Sequence, residues 1–250
     1  MCGRFTHMMT WTELVRLATL STPDMPDLPL FPSFNVAPTQ EVIIVRVGSA
    51  GPELAIARWG LVPHWADDPS VGAHMINARA ETVTSKPAFR EAFQQRRCLV
   101  PANGFFEWKT PPQKGKKQPY YIRLRNDQPF AFAGLWERWD KGDEALETCT
   151  IITCGPNELV AELHDRMPVI LAPGECRRWL TASDPAELEA MLDPYPADEM
   201  VAYPVSTMVN NTASNDIACI QPLTDAGAES DQSRSTNPSQ PKQKAFGFID

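Results

Sequence analysis

The chain has 250 residues, 43 % of them apolar, and a formal net charge of −8. That length supports one substantial hydrophobic core, and the acidic average excludes a general nucleic-acid coating protein, though not a local basic cleft. No run approaches the ~20 apolar residues of a membrane span, and the start lacks the apolar stretch of a signal peptide, so a cytoplasmic protein without membrane contact is expected.

Taken in order, TWTELVRLAT predicts a helix, with Thr10 and Glu13 at capping-box spacing. Residues 21–38 are proline-rich and read as an ordered surface loop. EVIIVRV (41–47) and ELAIARW (53–59), joined by GSAGP, predict a β-hairpin. Residues 60–85 show little periodicity, and KPAFREAFQQ (86–95) predicts a helix with Ser85 near its cap. RCLVP, PYYIRLR, PFAFAGLW, TCTIITC, MPVILA and VAYPVS are strand candidates, rich in β-branched and aromatic residues and bounded by turn formers. ELVAELH (158–164) and SDPAELEAML (183–192) are helix candidates, the second with Pro185 near its first turn. Many strands at irregular spacing with few helices give a fold class of α+β: a single β-rich domain over 1–222 with a few short helices. From 223 to 250 the composition turns polar and predicts a disordered tail. It ends in AFGFID, which reads either as a frayed end or as a docking peptide for a partner groove.

Six cysteines without a CxxC pair point to a reduced protein with no metal site; Cys149 and Cys154 lie in an apolar run and read as buried. Cys2 is different. Removal of Met1 would place a thiol and a free α-amine on one residue. An α-amine titrates near pH ~7.7–8.0, against ~10.4 for lysine, so far more of it is unprotonated at neutral pH. It is the better imine-former with an aldehyde, and the adjacent thiol can then close a five-membered thiazolidine ring. The bland alternative is a small residue that permits Met1 removal.

Other polar clusters stand beside it. INARAET (76–82) puts Asn77, Arg79 and Glu81 at alternate positions, one face of an extended segment. NGFFEWK (103–109) sets Glu107 between Phe106 and Trp108, surroundings that raise a carboxyl pKa; an edge-strand surface residue is the alternative. LHDRMP (163–168) offers His164 as an acid or base and Arg166 as a phosphate ligand, or else a helix-end histidine beside a surface ion pair. Trp65, in GLVPHWAD, is either a base-stacking loop aromatic or a core anchor. The KGKK group, with Lys114, Lys116 and Lys117, reads as a solvated hairpin tip.

MCGRF, FNVAP (34–38), WGLVPHW (59–65), INARAET, NGFFEWK, LHDRMPVIL (163–171) and PVS (204–206) occur in this order. Together they resemble the SRAP family, the SOS response-associated peptidases, over roughly residues 2–222. The resemblance implies a β-rich domain with a positively charged single-strand DNA cleft, self-removal of Met1, and capture of abasic sites as a thiazolidine on Cys2. It makes Cys2 the nucleophile, Asn77 the holder of the N-terminal residue, Glu107 the proton carrier and His164 the aid to sugar ring opening and crosslink reversal. Arg4, Arg79 and Arg166 are expected to bind flanking phosphates, with Thr153 near one of them, and Pro38, Trp65 and Trp108 to wedge or stack at the bases. No cofactor is expected; the partner is single-stranded DNA with abasic sites, AFGFID would meet a replication protein, and a monomer is expected at the nucleoid. One departure is Ala66, where some members carry a second aromatic. Three other readings stay open: a non-covalent single-strand DNA-binding module, a thiol peptidase, and an N-terminal-cysteine glutamine amidotransferase.

Overall fold

In the computed structural model, which describes residues 2–18 and 32–223, strands dominate. In chain order they are β1 (Phe5–His7), β2 (Ser33–Val36), β3 (Glu41–Gly48), β4 (Gly51–Trp59), β5 (Asn77–Arg79), β6 (Arg97–Ala102), β7 (Gly104–Lys109), β8 (Gln118–Leu124), β9 (Phe130–Trp139), β10 (Leu146–Cys154), β11 (Met167–Pro168), β12 (Ile170–Leu171) and β13 (Met200–Pro204). The helices are short: α1 (Trp11–Ala18), α2 (Arg90–Gln95), α3 (Glu158–Ala161), α4 (Glu175–Thr181) and α5 (Pro185–Glu189).

Two sheets result. One is antiparallel, ordered β13-β8-β7-β1-β2. In the other, β10, β4, β3, β6 and β9 form a closed ring, because β9 also pairs with β10. Closure removes the unpaired edges that an open sheet exposes. β5 and β11 extend from the far end of β10, and β12 from β9.

Period-2 alternation joins the sheets. Phe5 and Phe105 face the ring: Phe5 meets Trp59 and Phe132 edge-on at 5.1 and 5.7 Å, and Phe105 meets Phe132 at 6.1 Å. Phe106 and Tyr121 point the other way, into a second cluster closed by Val205, Val209 and Cys219. The first sheet is therefore covered on both faces, one by the ring and one by the chain that follows β13.

The hairpin forms as expected, in register from Glu41↔Arg58 to Gly48↔Gly51. Thr10 and Glu13 make the expected capping box: Glu13 Oε2 accepts from the Thr10 amide and hydroxyl at 2.7 and 2.8 Å. Gly60 is required: its φ is +134°, and a Cβ there would meet the Gly72 carbonyl oxygen at 2.5 Å.

Several expectations are corrected. Part of the proline-rich loop is strand β2, paired with β1. The helix over 86–95 begins only at Arg90, because the preceding Phe89, with φ −126°, lies outside the helical region. Ser85 does not cap it; its hydroxyl donates to the Thr82 carbonyl. The helix over 158–164 ends at Ala161. All six cysteines are buried and carry no disulfide. Met1, residues 19–31 and the tail with AFGFID lie outside the described residues. No helix among the described residues is long and apolar enough to cross a membrane.

Candidate active site

A cleft of about 480 Å³ opens between the two sheets, lined by Arg79, Glu107, Trp108, Lys117, His164, Asp165 and Arg166. The first sheet supplies Glu107 and Trp108 from β7, and Lys117 from the residue before β8. The second sheet supplies Arg79 from the end of β5, and 164–166 from the turn into β11.

Cys2 lies wholly buried. Its carbonyl accepts a 2.8 Å hydrogen bond from Asn77 Nδ2. Asn77 can reach it because β5 pairs in parallel with β10, which fixes Asn77 opposite Ile151. Burial pushes the Cys2 thiol well above its ordinary pKa, and the negative charge of Glu107 adds to the rise. The thiol is therefore protonated at neutral pH, and any nucleophilic role begins with a proton transfer.

Glu107 is 2 % exposed. It alternates with Phe105 and so faces the ring, while Phe106 and Trp108 stand on the opposite face. The flanking aromatics are thus not its environment, which corrects the sequence argument. Burial against the ring pushes its pKa up to about 8. A carboxyl in that range can both give and take a proton near neutrality.

His164 is half-buried, and desolvation holds its pKa below the ordinary value. Its Nδ1 accepts from the Arg166 backbone N–H at 3.0 Å, which leaves the proton of the neutral ring on Nε2. Asp165 Oδ1 lies 2.9 Å from the same Nδ1. One nitrogen therefore has a partner for each state: the Arg166 amide when neutral, the Asp165 carboxylate when charged.

Arg166 is largely committed within the protein. Glu81 takes both Nη atoms at 2.5 and 2.9 Å, and the Thr153 carbonyl accepts from Nη2. The sequence placed Glu81 on one extended face with Asn77 and Arg79. Instead the strand ends at Arg79, and Glu81 sits in the 3₁₀ turn Ala80–Thr82, turned toward Arg166.

The structure does not bring every candidate into the cleft. Arg4 is drawn to the outer face of the first sheet, where Nη1 donates to Asn35 Oδ1 and the Val209 carbonyl, and its guanidinium lies 5.9 Å from the Trp108 ring centroid. Thr153 is buried beneath Arg166. Pro38 stands in the turn before β3, and Trp65 in a separate loop, 51 % exposed. Ala66 is buried against Trp139, whose indole donates to its carbonyl at 2.7 Å. Trp108 lines the cleft with its indole N–H fixed on Asn210 Oδ1 at 2.7 Å.

Two lining residues were missed. The sequence groups Lys117 with the solvated tip; Lys114, Lys116 and Lys117 are all exposed, and Lys117 also lines the cleft. The available signal was its place directly before a strand that pairs with NGFFEWK. Asp165 was seen only as half of a surface ion pair.

A family profile described as SOS response associated peptidase (SRAP) matches residues 1–212. The abasic site processing protein YoqW of Bacillus subtilis (strain 168) is 43 % identical over 218 residues, spanning 86 % of this chain and 96 % of that protein. The abasic site processing protein YedK of Escherichia coli (strain K12) is 32 % identical over 230 residues, spanning 89 % of this chain and 100 % of that one. A crystal structure of a protein from Bacteroides thetaiotaomicron superposes with a TM-score of 0.80 at 28 % identity, covering 89 % and 100 % of the two chains.

Proposed function

The chain belongs to the SOS response associated peptidase (SRAP) family, and from that we propose that it processes abasic sites in single-stranded DNA by covalent capture on Cys2. The observation that carries the reading is the 2.8 Å hydrogen bond that pins the Cys2 backbone to Asn77, on the strand whose Arg79 lines the cleft together with Glu107 and His164.

The chemistry runs in balanced steps. Hydrolysis removes Met1 with the help of Glu107 and frees the Cys2 amine. His164, with its proton on Nε2, assists opening of the abasic deoxyribose to its C1′ aldehyde. The amine adds to C1′ to give a carbinolamine, and protonated Glu107 donates to the departing hydroxyl, which leaves as water. The Cys2 sulfur then adds to the imine carbon, and its proton passes to the nitrogen. The product is a thiazolidine, heavier than the DNA by the mass of the protein less one water. The Schiff-base stage also makes strand cleavage by β-elimination accessible. Arg79 and Arg166 hold phosphates, and Trp108 stacks at a base. The domain acts over 1–223 as a monomer, in the cytoplasm at the nucleoid, with 224–250 as a dispensable tail.

The test is an intact mass after incubation with a single-stranded oligonucleotide carrying one abasic site. Wild type is expected to give an adduct lacking methionine and short one water, and Cys2→Ala none. An unmodified protein that retains Met1 would sink the reading.

A further inference from the structure

We infer that Lys117 is a phosphate ligand of the bound strand, gripping the backbone from the wall opposite Arg79 and Arg166. The inference rests on the abasic-site reading and deepens it.

The argument begins with the two walls. From the second sheet the cleft receives Arg79 and Arg166, and from the first sheet it receives one cation, Lys117. Lys117 stands just before β8, three residues from Tyr120, which pairs with Glu107. It lines the same cleft as Glu107 and His164. It therefore lies near both groups that flank the reacting sugar. A sugar held between Glu107 and His164 carries a phosphate on either side. The second-sheet arginines can meet one of them, and the other passes the first-sheet wall.

Availability separates the cations. Arg166 has three of its five N–H donors engaged, two by Glu81 and one by Thr153. Lys117 is exposed, and no hydrogen bond or ion pair among the described residues holds it. An ammonium is also a point charge with three rotatable donors, so it accepts a phosphate from many directions. That suits a backbone whose geometry at a lesion is not fixed by a base.

The test uses the full chain with Lys117→Ala, Lys117→Arg and, as a control from the same loop, Lys114→Ala. Each is titrated with single-stranded abasic oligonucleotides that carry one neutral methylphosphonate linkage, moved stepwise across the lesion. Wild type should lose affinity when the neutral linkage sits on either flank. Lys117→Ala should become insensitive at one flank only, with a salt slope shallower by about 0.7, the contribution of one single-strand phosphate contact. Lys117→Arg should restore both, and Lys114→Ala should behave as wild type. A Lys117→Ala protein with the wild-type slope and wild-type sensitivity at both flanks would overturn the assignment. A wild-type chain that forms no adduct would overturn the parent reading, and that is seen before any lysine variant is titrated.

Discussion

Strand alternation decides the chemistry at position 107. Because the side chain shares a face with Phe105, it is buried against the ring, and its pKa rises to about 8. The folded chain then holds this proton more tightly than the unfolded chain, where a glutamate titrates near ~4.3. The stabilisation is complete at pH values below the unfolded pKa and is lost as pH rises through the folded one. Glu107→Gln should therefore match wild type in denaturant titrations at pH 4 and exceed it at pH 9, the gap growing by up to about 1.4 kcal/mol per pH unit between. A variant equally or less stable at pH 9 would contradict a buried, proton-holding Glu107. The same variant should form adducts at least about tenfold more slowly, the usual scale of a lost general acid or base. Glu81 carries a second prediction. Its carboxylate occupies the seat on Arg166 that a phosphate would take, so Glu81→Gln should bind intact single-stranded DNA more tightly and with a steeper salt slope. Weaker binding would mean that Glu81 serves to aim the arginine.

Elements here are held by long-range capping as much as by local propensity. Arg97, on β6, donates to the carbonyls of Phe93 and Gln94 at the end of α2 and of Trp179 and Ala182 at the end of α4. One buried guanidinium thus satisfies the carbonyls that two helix C-termini leave open. Hydrogen bonds from a charged donor contribute about 1.5–3 kcal/mol each but do not add in full. Arg97→Ala should cost about 3–5 kcal/mol and lower the melting temperature by roughly 6–20 °C; a shift under about 2 °C would show that water replaces the guanidinium. This also marks where sequence reading succeeds. The β3–β4 hairpin was legible because its alternation and its turn are local. The capping box was legible for the same reason. β2 was not, since its strand character comes from pairing with β1, far away in sequence, inside a proline-rich stretch. α4 had a signal that went unread: Cys176, Trp179 and Leu180 recur at helical spacing and are its buried residues. The site motifs could be read one by one. Their assembly could not, because it depends on β5 pairing in parallel with β10 and on β7 lying inside the first sheet.

The molecule is closed by its two described ends. Arg4 and Asn35 both donate to the Val209 carbonyl, and Asn35 Nδ2 also reaches the carbonyls of Asn211 and Ser214. The same C-terminal segment lays Val205, Val209 and Cys219 over Phe106 and Tyr121. Val205 bridges Pro222, and the Leu223 amide donates to the Pro204 carbonyl at 2.9 Å. The segment 205–223 is thus the outer cover of the sheet that carries Glu107, and it fastens the strand leading out of Cys2. Two truncations should separate sharply. Removal of 224–250 takes away a polar stretch poor in apolar residues, so the melting temperature should stay within about 2 °C and adduct formation should be unchanged. Removal of 205–250 strips one face of the first sheet and leaves the buried Arg4 guanidinium and Asn35 amide without those carbonyls, a loss of several kcal/mol against a typical total of about 5–15. That protein should lose both cooperative melting and adduct formation. If it kept its fold, the cover would be dispensable; if the shorter deletion unfolded the chain, residues beyond 223 would belong to the core.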